Sequence, residues 1–149
     1  ANLCEKTKVD IKDISTGIGL DQRIGERFLR AGPAYGGSCF PKDTRALLET
    51  SKKFNIDLSI VKSVVSSNEA RKILLTKKLE KILNHKLKNK IITFLGVTFK
   101  PNTDDMREAS SLSMIQYLNK KKSVIRYYDP SGEKKEFQKL KNVKFYKSI

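Results

Sequence analysis

The stretch GPAYGGSCFPKDT at residues 32–44 decides how the rest of the chain is interpreted. It holds three glycines and two prolines. Both residue types disfavour a helix interior or a central strand, because glycine loses much backbone entropy on folding and proline lacks an N–H donor. We therefore predict a shaped, irregular loop that is followed by a helix from Pro41, since proline suits the first helical turn.

Cys39 lies at or just before the start of that predicted helix. Free amides and the positive end of the helix dipole meet there, and together with Lys42 they would favour a thiolate. The alternative is a small buried cysteine in a tight turn, which is common for free cysteine. Gly36 and Gly37 favour the reactive thiol, because two residues without side chains leave room for a ligand beside the sulfur.

The composition indicates a folded protein with neither a membrane segment nor a metal site. The 149 residues are 38% hydrophobic and 32% charged, and no apolar run is long enough to span a bilayer. Two cysteines and one histidine provide no disulfide framework and no zinc-ligand spacing, so we expect a reducing, cytoplasmic setting. The net charge of +15 fits a lysine-rich surface. A nucleic-acid-binding domain is the alternative, but the basic residues do not interleave with aromatic ones.

Apolar residues at helical spacing predict that the first half of the chain is helical. Two short helices are expected at residues 10–18 and 21–30. A single long helix is expected at residues 57–83, with a kink near Ser66 as the alternative. Such a helix is longer than the hydrophobic core of a chain of this size, so we expect it to span two domains or to pack against a second subunit.

The second half alternates between strand and helix patterns. We predict strands at 91–99, 123–129 and 143–149, and helices at 108–121 and 134–140. This order requires parallel strands, whose ligands bind beyond the carboxyl ends, here residues 99–107 and 128–130. The predicted fold is α/β overall: an all-helical central domain is followed by the first part of a parallel-sheet, Rossmann-like domain.

Two motifs, GPAYGGSCFPKDTRAL and GVTFKPNTDDMREASS, resemble the UDP-glucose/GDP-mannose dehydrogenase family. The segments GIGLDQRIGERFLRAG and RYYDP also look like family segments, so the resemblance covers essentially the whole chain. It implies that residues 1–86 form the central, dimerising domain and residues 87–149 the opening part of the UDP-binding domain. The resemblance also implies that the family's N-terminal domain, which binds NAD, is not among these residues, and we expect the chain alone to be inactive.

The resemblance implies that Cys39 is the nucleophile in two successive oxidations of UDP-glucose to UDP-glucuronate, with NAD as cofactor. The thiol would add to the aldehyde, and a second oxidation would give a thioester that water hydrolyses. Asp43 would act as the base for water or position it, and helix capping is its alternative role. A related sugar, GDP-mannose or UDP-N-acetylmannosamine, and a non-catalytic dimerising nucleotide-binding module are the alternative functions.

The resemblance also assigns binding roles, for which exposed surface residues are the default interpretation. Lys42 and Arg107 would approach NAD. Arg23 would reach the substrate of a partner subunit in a homodimer formed through the helix at 57–83. The remaining residues implied to contact the substrate are Phe28, Leu29, Arg30, Ala31, Gly32, Gly36 and Lys100.

Overall fold

The computed structural model describes residues 1–148, in which helices precede a small parallel sheet. The elements in chain order are α1 (Asn2–Thr7), α2 (Ile11–Gly19), α3 (Cys39–Lys53), α4 (Ser59–Lys72), α5 (Leu74–Ile82), β1 (Ile91–Leu95), α6 (Ser110–Lys120), β2 (Val124–Tyr128) and β3 (Val143–Phe145). This order confirms the predicted α/β class. The chain forms two compact units, Ala1–Gly32 and the residues from Pro33 onward.

The first unit holds α1 and α2. Helix α2 begins where the side chain of Asp10 accepts a hydrogen bond of 2.8 Å from the amide of Lys12, as a capping residue does. The predicted helix at residues 21–30 is wrong. The amide of Gly25 bonds to the carbonyl of Asp21, and Gly25 has a φ of 67°, so this glycine turns the chain instead of continuing a helix.

The predicted uninterrupted helix at residues 57–83 is also wrong. It is broken into α4 and α5 at Ile73, whose φ of −106° and ψ of 0° are not helical. The hydroxyl of Thr76 donates a hydrogen bond of 2.7 Å to the carbonyl of Ile73, and such side-chain bonds compete with the helical ladder. An interruption therefore exists, but seven residues after the Ser66 that we expected.

The second unit contains a sheet with the strand order β1-β2-β3, and both strand pairs are parallel, as predicted. Helix α6 connects β1 to β2 and packs on the sheet. Its Ile115 and Leu118 are fully buried in one cluster with Ile125 and Tyr127 of β2. Burying these apolar side chains between helix and sheet fixes where the carboxyl ends of β1 and β2 lie.

Two predictions for the end of the chain need correction. Residues 134–140 form turns and not a helix, with the amide of Phe137 bonded to the carbonyl of Lys134. The last strand ends at Phe145, whereas we predicted it to run to residue 149. Residue 149 itself lies outside the described residues.

Candidate active site

Cys39 is the first residue of α3 and its side chain is exposed. This confirms the prediction that the thiol lies at a helix N-terminus. The N-cap residue is Ser38, whose side chain makes no capping hydrogen bond and whose hydroxyl lies 3.6 Å from the sulfur. Pro41 is the third helical residue and not the first. The other cysteine, Cys4, is half-buried in α1.

Helix α4 holds the loop that precedes Cys39. The side-chain oxygen of Asn68 accepts a hydrogen bond of 2.8 Å from the amide of Tyr35, and its nitrogen donates one of 3.1 Å to the carbonyl of Tyr35. Asn68 is only 7% exposed. The ring of Tyr35 also meets Phe40 edge to face, with centroids 4.7 Å apart. The loop is therefore fixed on both sides of the cysteine.

Gly36 and Gly37 pack against the segment that follows β1. The amide of Gly37 donates a hydrogen bond of 2.8 Å to the carbonyl of Arg107. A Cβ on Gly37 would lie 2.8 Å from the ring of Phe99, and one on Gly36 would lie 2.5 Å from the carbonyl oxygen of Glu108. Protein atoms therefore fill the space that a side chain would take at both glycines, and our interpretation that they leave room for a ligand beside the sulfur stays a prediction.

Two cations flank Cys39, and each pairs with a neighbouring carboxylate. Lys42 lies 2.7 Å from Asp43, and Arg107 lies 2.7 Å from Asp105. These hydrogen bonds raise the pKa of Lys42 and of Arg107, and Cys39 adds the smallest contribution to both shifts. Asp43 does not cap a helix N-terminus here, because Ser38 holds that position in α3. Two ion pairs, Lys42–Asp43 and Arg107–Asp105, therefore border the thiol.

A cavity of about 850 Å³ lies beyond the carboxyl ends of β1 and β2, at the edge of the sheet where we predicted a ligand. Lys100 is exposed at this cavity, and its ammonium group lies 5.2 Å from the centroid of the Phe99 ring. The cavity is also lined by Tyr128, the last residue of β2, and by Ser131 in the turn that follows. The cavity is large enough to take a small organic ligand.

Asp129 organises this cavity, a role that the sequence did not reveal. Its carboxylate accepts a hydrogen bond of 2.8 Å from the amide of Val97, and it also bonds to Ser131. Burial opposes its ionisation, but the hydrogen bonds from Ser131 and Val97 outweigh it and hold the pKa of Asp129 below its ordinary value. Lys134, also buried, lies 3.8 Å away. Asp129 thus ties together the turns after both strands.

A cluster of charged side chains links helices α3 and α4 to Glu108, which lies two residues before the start of α6. Arg45 donates hydrogen bonds of 2.8 and 3.3 Å to Glu108, and Lys72 donates one of 2.6 Å to it. Glu69 bonds to both cations, at 3.1 Å from Arg45 and 3.0 Å from Lys72. The hydrogen bonds from Arg45 and Lys72 lower the pKa of Glu108 to about 2. These residues are distant in sequence, so no local motif could have revealed the cluster.

The other residues predicted to bind substrate belong to the first unit. Arg23 is exposed and pairs with Asp21 at 2.6 Å. Phe28 is 93% exposed. Three of the predicted residues line a cavity of about 970 Å³ within this unit, Leu29, Arg30 and Ala31. The substrate roles of residues 28–32 and of Arg23 stay predictions.

Neither a membrane span nor a metal site is found within residues 1–148. No helix in this range is both long and apolar enough to cross a bilayer. The same residues contain no group of three or more His, Cys, Asp or Glu side chains that could hold a metal ion.

Residues 1–70 match the central domain of the UDP-glucose/GDP-mannose dehydrogenase family, and residues 93–149 match its UDP binding domain. A UDP-glucose 6-dehydrogenase of Rickettsia bellii is 47% identical over 89% of this chain and 30% of its own length. The domain boundary after residue 86 stays a prediction.

Solved structures show the same likeness. The UDP-glucose dehydrogenase of Pyrobaculum islandicum matches 96% of this chain and 33% of its own, at 32% identity and a TM-score of 0.88. The GDP-mannose dehydrogenase of Pseudomonas aeruginosa matches 91% of this chain and 32% of its own, at 28% identity and a TM-score of 0.63. The chain spans about a third of the length of these relatives. The two domain matches occur in order and together cover most of the sequence, and from them we conclude that the chain belongs to the UDP-glucose/GDP-mannose dehydrogenase family.

Proposed function

We propose that this chain is the central and UDP-binding portion of an NAD-dependent UDP-glucose 6-dehydrogenase, which oxidises UDP-glucose twice to UDP-glucuronate. The observation that carries the proposal is the hydrogen bond of 2.8 Å from the amide of Gly37 to the carbonyl of Arg107. It joins the loop that bears Cys39 to the loop that borders the cavity beyond β1. A thiol nucleophile and a nucleotide-sized cavity are thus held by one connected piece of backbone.

The nucleotide part of the substrate would occupy the cavity at the carboxyl ends of β1 and β2. Lys100 supplies a point charge for the diphosphate, and its flexible stem can follow the phosphate groups. Asp129 would not contact the ribose directly, because Val97 and Ser131 already occupy its carboxylate. Its role is to hold the two turns that shape the cavity.

Cys39 would then act on the C6 carbon of the sugar. NAD, when bound, accepts the hydride that leaves in each oxidation. After the first oxidation the sulfur bonds to C6 of the aldehyde, and the carbonyl oxygen takes up a proton to give a thiohemiacetal. After the second oxidation the adduct is a thioester, and attack by water breaks the C–S bond to release the carboxylate and the thiol. Asp43 would assist as the base for this water or position it.

The two ion pairs beside Cys39 offer exposed cations to an anionic dinucleotide. Lys42 and Arg107 are both exposed, so they can meet phosphate groups while remaining near their carboxylate partners. Exchange of a surface carboxylate for a phosphate costs little, because exposed ion pairs contribute only about 0–1 kcal/mol. For this reason we propose that both residues bind the cofactor, as the family resemblance implies.

We further propose a homodimer through α4 and α5. Large apolar side chains on these helices are exposed to solvent, among them Ile60, Val64, Leu75 and Ile82. A second copy of the chain that packs against them would remove this apolar surface from water. Arg23 would reach the substrate of the partner subunit, and Phe28 to Gly32 would lie along the sugar and phosphates.

The proposal is tested by calorimetric titration of the chain with UDP. We expect UDP to bind, and Lys100→Ala to weaken it at least about tenfold, since a charged hydrogen bond is worth about 1.5–3 kcal/mol. Lys88→Ala is the matched control, because Lys88 precedes β1 and lies at the opposite edge of the sheet. Absence of UDP binding would contradict the proposal.

The choice of sugar and the role of the thiol need a second experiment. In the longer protein that the proposal implies, UDP-glucose should support NADH formation, with GDP-mannose and UDP-N-acetylmannosamine as competing substrates. Cys39→Ser should abolish release of UDP-glucuronate. Binding of UDP without any turnover by that longer protein would favour the non-catalytic nucleotide-binding module instead.

A further inference from the structure

We propose that Glu108 is a positioning residue that couples the nucleotide cavity to the loop of Cys39. This inference rests on the proposed function for the identity of the nucleotide. Its physical basis is that Glu108 connects to the cysteine loop through its backbone and to the two helices behind that loop through its side chain.

The backbone at residues 107 and 108 forms one half of the connection. The carbonyl of Arg107 accepts a hydrogen bond from the amide of Gly37, and a Cβ on Gly36 would lie 2.5 Å from the carbonyl oxygen of Glu108. Glu108 itself has a φ of 55°, a left-handed conformation that few residues other than glycine adopt. Such strain persists only where surrounding contacts hold it, and it concentrates at functional sites.

The side chain of Glu108 supplies the contacts that hold this conformation. Arg45 reaches it from α3, the helix that begins at Cys39, and Lys72 reaches it from α4, the helix that carries Asn68. The side chain of Lys72 is only 6% exposed, so its ammonium group depends on protein partners. One carboxylate therefore fixes both helices that position the cysteine loop.

The same segment reaches the cavity at its other end. The amide of Phe99 bonds to the carbonyl of Asp105 at 3.1 Å, which closes residues 99–105 into a compact loop. Lys100 is exposed on this loop at the cavity, while the ring of Phe99 faces Gly37. A ligand that orders Lys100 thus acts on a segment whose far end is held by Glu108. Lys100 at the cavity and its neighbour Phe99 at Gly37 therefore connect the proposed nucleotide site to the cysteine loop.

The first test needs no ligand. Amide hydrogen exchange of the chain should show the Gly37 amide exchanging about tenfold faster in Glu108→Gln than in the wild type. Arg45→Met, which removes the α3 partner instead, should change exchange in the same direction. Amides of Ile115 and Leu118 in the core report whether each variant is folded. A Gly37 rate within about twofold of wild type in both variants would overturn the proposal.

The second test measures the coupling itself by NMR titration with UDP. In the wild type, UDP should shift the amide signals of Gly37 and Cys39 as well as those of Thr98 and Ser131 at the cavity. In Glu108→Gln the cavity signals should still shift, while the shifts at Gly37 and Cys39 fall at least about threefold. A merely structural role would lower stability without separating the two groups of signals.

Glu49→Gln is the matched control for both tests, because Glu49 lies on α3 and pairs at the surface with Lys52. It should behave as the wild type. Equal shifts at Gly37 in Glu108→Gln and in the wild type would overturn the coupling. If UDP shifts no cavity signal in any form of the chain, the proposed nucleotide fails, and the exchange experiment then decides whether Glu108 positions the loop.

Discussion

Asn68 and Tyr35, which are 33 residues apart in sequence, form a two-point hydrogen-bonded contact between α4 and the loop before Cys39. The side chain of Asn68 accepts a hydrogen bond from the N–H of Tyr35 and donates one to its C=O, as the backbone of a neighbouring strand does. An irregular loop has few such partners, and its buried backbone groups must be satisfied by side chains. Asn68 therefore defines the path of the chain into α3, the helix that begins at Cys39.

Replacing Asn68 by alanine should destabilise the chain by about 1–3 kcal/mol, because both backbone polar groups of Tyr35 lose their partner in a partly buried site. Urea unfolding followed by circular dichroism measures the change. Ser67→Ala is the control, since Ser67 is an exposed neighbour on the same helix and should change stability by less than about 0.5 kcal/mol. An equal stability for Asn68→Ala and Ser67→Ala would contradict the structural role of this contact.

Gly37→Ala should be more destabilising than Gly132→Ala. Both glycines have a positive φ, of 84° and 88°, so both substitutions impose similar backbone strain. Only at Gly37 would the new Cβ meet the ring of Phe99, whereas the space at Gly132 is open. The difference in the free energy of unfolding should be about 1–3 kcal/mol, the usual cost of overpacking. Equal losses of stability in the two variants would show that the ring of Phe99 moves aside without an energetic penalty.

The sequence predicted the parallel sheet and the placement of Cys39 because both depend on local patterns. Alternating strand and helix segments require parallel pairing, and proline after a glycine-rich loop marks the start of a helix. The path of residues 21–30 was mispredicted, because apolar spacing suggested a helix where Gly25 makes a turn. A residue with positive φ has no periodic signature, so periodicity alone could not find it.

The contacts that hold the site were not predictable in this way. Arg45 and Glu108 are 63 residues apart, and their ion pair exists only because the fold brings α3 beside the residues that precede α6. Asp129 was visible as part of a corner after β2, but its bond to Val97 depends on the parallel register of β1 and β2. Long-range polar contacts follow from the fold and therefore have no local pattern.

Glu108 should make the stability of the chain depend on pH in the acid range. Its pKa is about 2 in the folded state, against an ordinary value of 4.5. A lowered folded pKa means that the stabilisation is complete above about pH 4.5 and is lost as the pH falls through 2. Since Glu108 is partly exposed, we expect it to contribute about 1–2 kcal/mol at neutral pH.

The measurement compares urea unfolding of the wild type and Glu108→Gln at several pH values between 2 and 7. The stability difference between the two should be largest at neutral pH and should shrink towards pH 2. Asp57→Asn, at an exposed carboxyl group, serves as the control for general acid effects. A stability difference that stays constant from pH 7 to pH 2 would show that the charge of Glu108 does not stabilise the fold.

Cys39 should react with iodoacetamide at neutral pH about tenfold faster than Cys4. Cys39 is exposed at the start of α3 with Lys42 and Arg107 nearby, whereas Cys4 is half-buried in α1. Peptide mass spectrometry over time follows each thiol separately, and Cys39→Ser should remove only the fast reaction. In urea the two rates should converge, because unfolding removes the helix N-terminus and the neighbouring cations that distinguish the sites. If Cys4 reacted as fast as Cys39 in the native chain, the structure would offer no activated thiol and the covalent mechanism would fail.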